Sequence, residues 1–293
     1  MLVTVVLNYN DFQSTSRFIN DIRKYDVINK IIVVDNCSTD DSFKQLEMLC
    51  DEKIDLISTN CNGGYAKGNN LGIKYAEEMY HPEYVMVANP DILVSECTIL
   101  NLIKYLASHE KVALVSGLMC DKNGNVMKNF ALKLPNYIDI LRSCSIVTLV
   151  FSEIIFKSSP LYNLKKINKY EGLNVGVVPG SFFIIKDKYI QEVNYFEEKT
   201  FLYCEEYILS YKLKSRNLEV HILPTEKYIH YHSVTIDKSI KSWIKKQKIN
   251  ENSHIVFMRD YLKISSFKIT LYRIINRIGI YSNFVILKLF KRI

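Results

Sequence analysis

The residues with the clearest chemical potential are polar side chains that follow short apolar runs. They are Asn8, Tyr9 and Asn10 after "LVTVVL", Asp35 after "KIIVV", and Asn89 and Asp91 after "YVMVA". Carboxylate and amide oxygens are ligands that hard divalent cations prefer, and they also accept hydrogen bonds from the N–H and O–H groups of a nucleotide. These positions are therefore candidates for a cation or nucleotide site.

The tripeptide Asn89-Pro90-Asp91 interrupts an apolar run that resumes at Ile92. Proline lacks a backbone N–H and keeps the preceding residue extended, so Pro90 ends a strand at this point. Taken alone, the tripeptide favours an ordinary turn that leaves a strand. The polar residues at the other strand ends favour a ligand site instead.

Paired carboxylates and two histidines form a second candidate set. Glu205 and Glu206 are adjacent in "FLYCEEYIL", where most flanking residues are apolar or aromatic. Buried carboxylate pairs have perturbed pKa values and are typical of acid–base sites, whereas glutamates on a solvated helix face are not. His230 and His232 alternate along "YIHYHS", so a strand there places both on one side.

The stretch "NGGYAKGNN" contains Gly64 and Gly68, where the backbone can approach a ligand closely, and Lys67, which adds a positive charge. A Rossmann fingerprint needs Gly-X-Gly-X-X-Gly after the first strand, and a P-loop needs Gly-Lys-Ser/Thr; the stretch has neither pattern. The alternative is a glycine-rich loop that Asn69 caps before a helix.

Alternating strand and helix signals organise these residues. The β-rich runs "LVTVVL", "KIIVVD", "IDLIST" and "YVMVA" are separated by helical segments, of which 12–25 has apolar residues at helical spacing. This alternation predicts a mixed, mostly parallel sheet with helices on both faces. Ligands of such sheets bind at the carboxyl ends of the strands, so the polar strand ends predict one site at one edge.

Length and composition indicate a folded domain. The 293 residues, 48% hydrophobic and 24% charged, are enough for one large core. Seven cysteines without a Cys-X-X-Cys pair argue against a disulfide framework or a zinc knuckle and favour a reducing cytosol. The start "MLVTVVLNYN" lacks signal-peptide features, and no uncharged apolar run approaches the ~20 residues of a membrane-spanning helix.

Residues 238–293 form a basic tail, with thirteen Lys/Arg against two Asp/Glu and many aromatic and aliphatic residues. Such a composition in an amphipathic helix favours an anionic membrane surface. The tail lacks a known nucleic-acid reader motif and is too apolar for a solvated arm, which argues against nucleic acid. The alternative is a helical extension that packs on the body or on a second subunit. We predict a body, 1–236, and a basic helical extension, 237–293.

Seven stretches of the sequence carry a family resemblance. "VVLNYN", "IIVVDNCSTDDS", "NGGYAKGNNLGI", "VMVANPD", "VPGSFFIIK", "FLYCEEYIL" and "IHYHS" occur in the order and approximate spacing of inverting family-2 glycosyltransferases with the GT-A fold. Across residues 2–233 the sequence most resembles the rhamnosyltransferase-like enzymes of bacterial surface polysaccharides, such as capsule and O-antigen. The resemblance implies a Rossmann-like GT-A sheet in the body of the chain.

The resemblance also implies a donor site for a nucleoside diphosphate sugar. The donor-binding positions correspond to Asn8, Tyr9, Asn10, Asp35, Asn62, Gly64, Lys67, Asn70 and Asn89. Asp91 and His230 correspond to ligands of a divalent cation, Mg²⁺ or Mn²⁺, with His232 as the alternative histidine. Asn89 replaces the first carboxylate of the family's Asp-X-Asp-like element, which predicts a looser metal site.

On the acceptor side, the resemblance implies a catalytic base. Glu206 corresponds to the carboxylate that takes the proton from the attacking hydroxyl, and Glu205 to a supporting residue. The family has a Glu-Asp pair here, so the second glutamate leaves the assignment between the two open. Gly180 and Ser181 correspond to the acceptor pocket, where a glycine leaves room for a sugar ring.

The predicted function is transfer of rhamnose or a hexose from a dTDP- or UDP-sugar to a saccharide acceptor, lipid-linked, in bacterial surface-polysaccharide synthesis. The predicted location is the cytoplasm, at the inner face of the plasma membrane, and a homodimer is compatible with the tail. A sugar nucleotidyltransferase is one rival, but it needs a basic Gly-rich loop after the first strand. The other rival is a catalytically degenerate glycan- or membrane-binding partner of an active transferase.

Overall fold

A computed structural model describes residues 1–156, 159–163, 171–231 and 242–289. Its strands are β1 (Leu2–Asn8), β2 (Lys30–Asp35), β3 (Ile54–Ser58), β4 (Tyr84–Ala88), β5 (Ile92–Val94), β6 (Val112–Cys120), β7 (Leu173–Asn174), β8 (Phe182–Lys186) and β9 (Glu219–His230). These nine strands form one sheet in the order β3-β2-β1-β4-β8-β6-β9-β5, and β7 pairs with β9.

The first half of the sheet is parallel. β1, β2 and β4 consist almost wholly of buried apolar residues, as expected of strands that helices cover on both faces. β1 pairs with β2 and β4, and β2 pairs with β3. In this register Asn8 lies opposite Asp35, and Val6 lies opposite Ala88. The chain therefore leaves these four strands at the same edge, as the sequence predicts.

The second half of the sheet is mixed. β8 is antiparallel to β4 and β6, whereas β6 and β9 are parallel. Ala88 lies opposite Phe182, so the residues that follow β4 meet the residues that precede β8. β5 is antiparallel to β9, with Ile92 opposite His230. Four of the predicted site segments thus converge on one edge.

Helices pack on both faces of the sheet. In the described residues they are α1 (Phe12–Ile22), α2 (Ser42–Glu47), α3 (Gly64–Tyr80), α4 (Glu96–Ser108), α5 (Tyr137–Ser143), α6 (Ile146–Phe156), α7 (Asp187–Glu192), α8 (Glu205–Lys214), α9 (Trp243–Val256), a π-helix (Phe257–Tyr261) and α10 (Ser266–Leu289). α1 buries Phe18, Ile19 and Ile22 on one face, which matches its helical spacing of apolar residues.

The C-terminal helices share a second core with the body. This core contains Ile208 of α8, residues of α5, Phe257 and Met258 of the π-helix, and Tyr272 of α10. The extension is therefore helical and packs on the body, while the predicted division at 236/237 falls outside the described residues. Among the helices that the structure describes, none has the length and apolarity to cross a membrane.

Candidate active site

One contact path connects the two ends of the predicted site. A Cβ placed on Gly180 would lie 3.1 Å from Glu206 Oε1, so this carboxylate lies directly against the glycine. The next residue, Ser181, accepts a hydrogen bond at its carbonyl from the backbone N–H of Asn89, at 2.8 Å. Asn89 is two residues from Asp91. The structure thus brings Glu206 and Asp91 to the same edge of the sheet.

Asp91 and His230 contact each other at this edge. Asp91 Oδ1 lies 3.2 Å from His230 Nε2, and the two side chains are 5% and 12% exposed. The carbonyl of Asp91 accepts the backbone N–H of Tyr231 at 2.9 Å, which continues the β5–β9 pairing. The alternative histidine, His232, lies outside the described residues.

The Asp91–His230 pair offers one carboxylate and one imidazole to a cation. No group of three or more His, Cys, Asp or Glu that could hold a metal occurs in the part of the chain that the structure describes. Two protein ligands suit a cation that takes its other ligands from substrate phosphates and water, as Mg²⁺ commonly does. A closed structural metal site would need more ligands, so the residues fit a metal that arrives with a diphosphate.

Asp35 is held by a network between the ends of β1 and β2. Its Oδ1 accepts hydrogen bonds from Asn8 Nδ2 at 2.8 Å and Ser38 Oγ at 2.6 Å, and its Oδ2 accepts the Ser38 N–H at 2.9 Å. Asn8 is fully buried, and its Oδ1 accepts a hydrogen bond from Thr15 Oγ1. Asn8 therefore fixes the orientation of Asp35, while Ser38 closes the turn after β2.

Asn10 ties the loop after β1 to the loop after β2. Its φ of 52° is in the left-handed region, which asparagine tolerates better than most residues. Its N–H donates to Ser38 Oγ at 2.9 Å, and its Oδ1 accepts the Thr39 N–H at 2.7 Å. Tyr9, which precedes it, is half-buried. The predicted donor residues of β1 therefore lie beside Asp35.

The glycine-rich loop joins the same edge at the start of α3. Asn62 Oδ1 accepts the Gly64 N–H at 3.1 Å and the Asn36 side chain at 3.0 Å. Gly64 has φ +87°, and a Cβ there would lie 1.9 Å from the carbonyl oxygen of Phe201. The Tyr65 N–H donates to this oxygen at 3.1 Å. The loop is therefore packed against the segment that leads into Glu205.

The remaining residues of the loop point in different directions. Lys67 is exposed near the start of α3. Asn70 is buried, with Nδ2 donating to the Phe196 carbonyl at 3.0 Å and Oδ1 accepting the Phe196 N–H at 3.0 Å, so it holds the chain behind the edge. At Gly68 a Cβ would lie 2.3 Å from Leu7 Cδ1, so the absence of a side chain here allows α3 to pack closely on the sheet.

Glu205 and Glu206 begin α8 in different environments. Burial and then the charge of Glu206 raise the pKa of Glu205 well above its usual range. Glu205 is 3% exposed, and its Oε1 has no hydrogen-bond partner among the described residues. Burial also raises the pKa of Glu206, but hydrogen bonds from the N–H groups of Glu206 and Gly180 oppose this rise. The contrast favours a neutral Glu205 beside a Glu206 that can ionise.

The turn into α8 is strained. Tyr203 and Cys204, neither of them glycine, have φ values of 73° and 67°. Each such residue costs on the order of 1–3 kcal/mol and persists only where its surroundings impose it. The turn places both glutamates in the first helical turn, where the helix dipole favours negative charge.

Two tyrosines that the sequence analysis did not select complete the edge. Tyr65 OH donates to the Gly180 carbonyl at 2.5 Å, and Tyr228 OH lies 2.8 Å from Ser181 Oγ. Burial, followed by the charges of Glu206 and Glu205, raises the pKa of Tyr65 well above its usual range, so the phenol stays a donor. In the sequence, Tyr65 could have been selected because it follows Gly64 in the glycine-containing stretch.

Solved structures with this architecture define the class of fold. The mannosyltransferase PcManGT from Pyrobaculum calidifontis, in complex with GDP-Man and Mn²⁺, matches with a TM-score of 0.56 at 14% identity, over 90% of this chain and 65% of that one. GalNAc-T7 with UDP, GalNAc and Mn²⁺ gives a TM-score of 0.59 at 10% identity, over 78% of this chain and 43% of that one. The chain therefore spans about two thirds or less of these solved chains and has the predicted GT-A fold.

Sequence comparison gives the family. Glycosyl transferase family 2 matches residues 4–193, and the chain belongs to this family. It is 26% identical over 239 residues to the rhamnosyltransferase WbbL of Escherichia coli K12, covering 79% of this chain and 83% of that protein. It is also 23% identical over 223 residues to the low-salt glycan biosynthesis hexosyltransferase Agl10 of Haloferax volcanii, covering 75% of this chain and 63% of that protein. The chain is thus a transferase related to rhamnosyl- and hexosyltransferases.

Proposed function

We propose that this chain is a metal-dependent inverting glycosyltransferase that moves rhamnose or a hexose from a dTDP- or UDP-sugar to a saccharide acceptor. The observation that carries the proposal is the contact path from Glu206 through Gly180 and Ser181 to Asn89, two residues before Asp91. It supports one pocket with a carboxylate on the acceptor side and another on the donor side.

On the donor side, Asp91 and His230 would hold Mg²⁺ or Mn²⁺, which stabilises the charge that develops on the departing diphosphate. Asp35, oriented by Asn8, accepts hydrogen bonds from the nucleoside. Lys67 adds positive charge near the start of α3, where the helix dipole also favours an anion. The remaining proposed donor residues are Tyr9, Asn10, Asn62, Gly64 and Asn89, while Asn70 supports the site from behind by holding the Phe196 backbone.

On the acceptor side, Glu206 removes the proton of the attacking hydroxyl. A bond forms between this oxygen and the anomeric carbon, and the bond from that carbon to the diphosphate oxygen breaks. Because the nucleophile and the leaving group lie on opposite faces of the sugar, the configuration inverts. Glu205, kept neutral by burial, adds no second negative charge beside the base, and Gly180 and Ser181 border the acceptor.

The acceptor in this proposal is lipid-linked, and the enzyme works as a peripheral protein at the inner face of the plasma membrane. Two relatives support a glycan or polymer as the product by their names: the low-salt glycan biosynthesis hexosyltransferase Agl10, and the poly(ribitol-phosphate) beta-N-acetylglucosaminyltransferase TarS of Staphylococcus aureus. The basic, aromatic-rich tail supports the location, because such tails bind anionic lipid surfaces.

Two substitutions test the proposal by release of nucleoside diphosphate from a panel of dTDP- and UDP-sugars, with a bacterial lipid extract as acceptor source. Glu206→Gln should lower kcat by about 10²- to 10⁴-fold and leave nucleotide binding intact. Asp91→Asn should abolish the Mn²⁺-dependent thermal stabilisation by the nucleotide. Glu78→Gln, at an exposed glutamate of α3, is the matched control.

A non-catalytic glycan-binding partner is the second candidate, and Asn89 in place of a metal carboxylate favours it. If Glu206→Gln and Asp91→Asn both leave transfer at the wild-type rate, the catalytic assignment is wrong. If the wild-type protein binds nucleotide sugars but releases no diphosphate with any donor, the partner function replaces the transferase.

A further inference from the structure

Helix α10 carries an exposed apolar stripe along its full length. The exposed fractions are 80% for Phe267, 40% for Leu271, 53% for Ile274, 65% for Ile278, 73% for Tyr281, 39% for Val285 and 75% for Leu289. These residues are spaced three or four positions apart, so they lie on one side of the helix. Water contact with so much apolar surface is unfavourable, which indicates that something covers it.

The opposite side of α10 anchors the helix to the body. Ile269 and Tyr272 are buried in the second core, and Asn276 donates to Glu251 Oε2 of α9 at 2.9 Å. At Gly279 a Cβ would lie 2.1 Å from the Cys144 carbonyl, so the helix approaches the end of α5 closely. The apolar stripe is therefore a fixed surface of the folded protein.

Helix α6, from the body of the chain, adds a second apolar stripe. Val147, Val150 and Ile154 are 57%, 49% and 71% exposed, at spacings of three and four residues. The start of α6 is attached to α10, because Asn283 Oδ1 accepts the Ile146 N–H at 2.9 Å. This hydrogen bond holds the start of α6 against the anchored side of α10, so the folded protein carries two exposed apolar stripes on neighbouring helices. We call the two stripes together the α6/α10 face.

The charged residues of α10 all have one sign. Residues 266–289 contain no Asp or Glu. Arg273, Arg277 and Lys288 are exposed and lie along one flank of the stripe by helical periodicity, and Lys268 is exposed on the other flank. A surface that is apolar at its centre and cationic at its border complements an anionic bilayer, with acyl chains below and phosphate groups around.

We propose that the α6/α10 face is the membrane-docking surface of this protein and that its partner is a bilayer containing anionic lipids. The proposal rests on the proposed function for its membrane location and adds a surface that includes the body of the transferase. Two anchored helices, rather than a free tail, fix the orientation of the protein on the bilayer.

This orientation has a consequence for the acceptor. A cavity lies between α5, α6 and α8, lined among others by Leu149 of α6, Tyr207 and His254. Leu149 belongs to the helix that carries Val147 and Val150, and Tyr207 follows Glu206. The cavity thus lies between the helix that carries the α6 stripe and the helix that carries Glu206, and in this proposal the head of a lipid-linked saccharide reaches the base from this side.

A second copy of the chain is the rival occupant, because the spacing of the α10 stripe also suits a coiled coil. Pairing two such helices would bring their cationic flanks together without acidic partners on either helix. Like charges at such an interface are unfavourable, so the observations favour the bilayer.

The test is flotation of the full chain with vesicles of phosphatidylcholine alone or with 30% phosphatidylglycerol. Val150→Glu on α6 and Ile278→Glu on α10 should each reduce binding to the anionic vesicles by about tenfold or more, because each places a charge at the apolar contact. The double variant Arg273→Gln/Arg277→Gln should lose affinity by a similar factor and lose most of the salt dependence. Met48→Glu, at a methionine 76% exposed on α2's C-terminal side, is the matched control and should bind like the wild type.

Three results would overturn the proposal. If Val150→Glu floats with the anionic vesicles as the wild type does, α6 is not part of the docking surface. If the wild type binds neutral and anionic vesicles equally, the cationic residues do not select anionic lipids. If the wild-type protein binds no vesicles and is a dimer by light scattering, and Ile278→Glu converts it to a monomer, the face binds a second copy of the chain. Diphosphate release with a water-soluble acceptor distinguishes the docking proposal from the proposed function. A variant that has lost only docking keeps this activity at the wild-type rate. If the proposed function is wrong, neither the wild type nor any variant shows the activity.

Discussion

Alanine at Gly180 tests the position of Glu206 without removing its carboxylate. The new Cβ would lie 3.1 Å from both Glu206 Cγ and Oε1, and 3.4 Å from Cδ. Carbon atoms in ordinary contact are about 3.5–4.0 Å apart, so the glutamate must move by a few tenths of an ångström. Gly180 is not among the residues with positive φ, so alanine introduces no backbone strain there.

The expected loss is catalytic rather than structural. A misplacement of about 1 Å costs about 100-fold in rate, so a shift of a few tenths corresponds to roughly a 3- to 10-fold lower kcat. This is about 1 kcal/mol in activation free energy. The free energy of unfolding should change by less than about 1 kcal/mol, because the contacting atoms are the mobile end of a half-buried side chain.

The assay is diphosphate release at saturating donor and acceptor, with KM for the donor measured separately. Gly124→Ala is the control, since Gly124 has φ +80° and nothing lies within 4 Å of its Cβ position. That variant should lose some stability and no activity. If Gly180→Ala keeps the wild-type kcat, or if its whole loss is in the KM for the donor, Glu206 is not the base that Gly180 borders.

Two further predictions concern stability. Gly64→Ala should destabilise the protein by more than about 2 kcal/mol, because its Cβ would lie 1.9 Å from the Phe201 carbonyl oxygen at φ +87°; an unchanged denaturant midpoint would contradict this packing. Burial raises the pKa of Glu77 from 4.5 to about 7, so the folded chain binds this proton more tightly than the unfolded chain, and stability falls as pH rises from 4.5 through 7. Glu77→Gln should flatten this decline and be about 1–3 kcal/mol more stable than the wild type at pH 8. If the free energies of unfolding of the two proteins in denaturant change equally with pH, Glu77 does not cause the decline.

The edge of the sheet could be predicted from the sequence because its signals are local. Asn8, Asp35 and Asp91 each come at or just beyond the end of a buried strand, and the parallel pairing that brings strand ends together follows from strand–helix alternation. The hydrogen-bonded roles within the edge could not be predicted, because the bond from Asn8 to Asp35 depends on a register between strands 27 residues apart.

The roles of two glycines also could not be predicted from the sequence. Gly64 and Gly68 stand four residues apart in one motif, and both suggest close approach to a ligand. One faces the Phe201 carbonyl and the other faces Leu7, and only the tertiary neighbours distinguish these places. A glycine in a sequence indicates that something comes close, but not what it is.

Helix α8 joins the candidate site at the edge of the sheet to the C-terminal extension. Its first turn carries Glu206 against Gly180, while Ile208, two residues on, is buried in the core that the extension completes. The ring of Tyr207 lies 6.1 Å from Phe257 of the π-helix. Because the strained turn before α8 persists only where packing imposes it, we expect the position of Glu206 to depend on the extension. If Glu206 is the proposed base, the extension affects transfer through this packing, whether or not its outer face also meets a membrane.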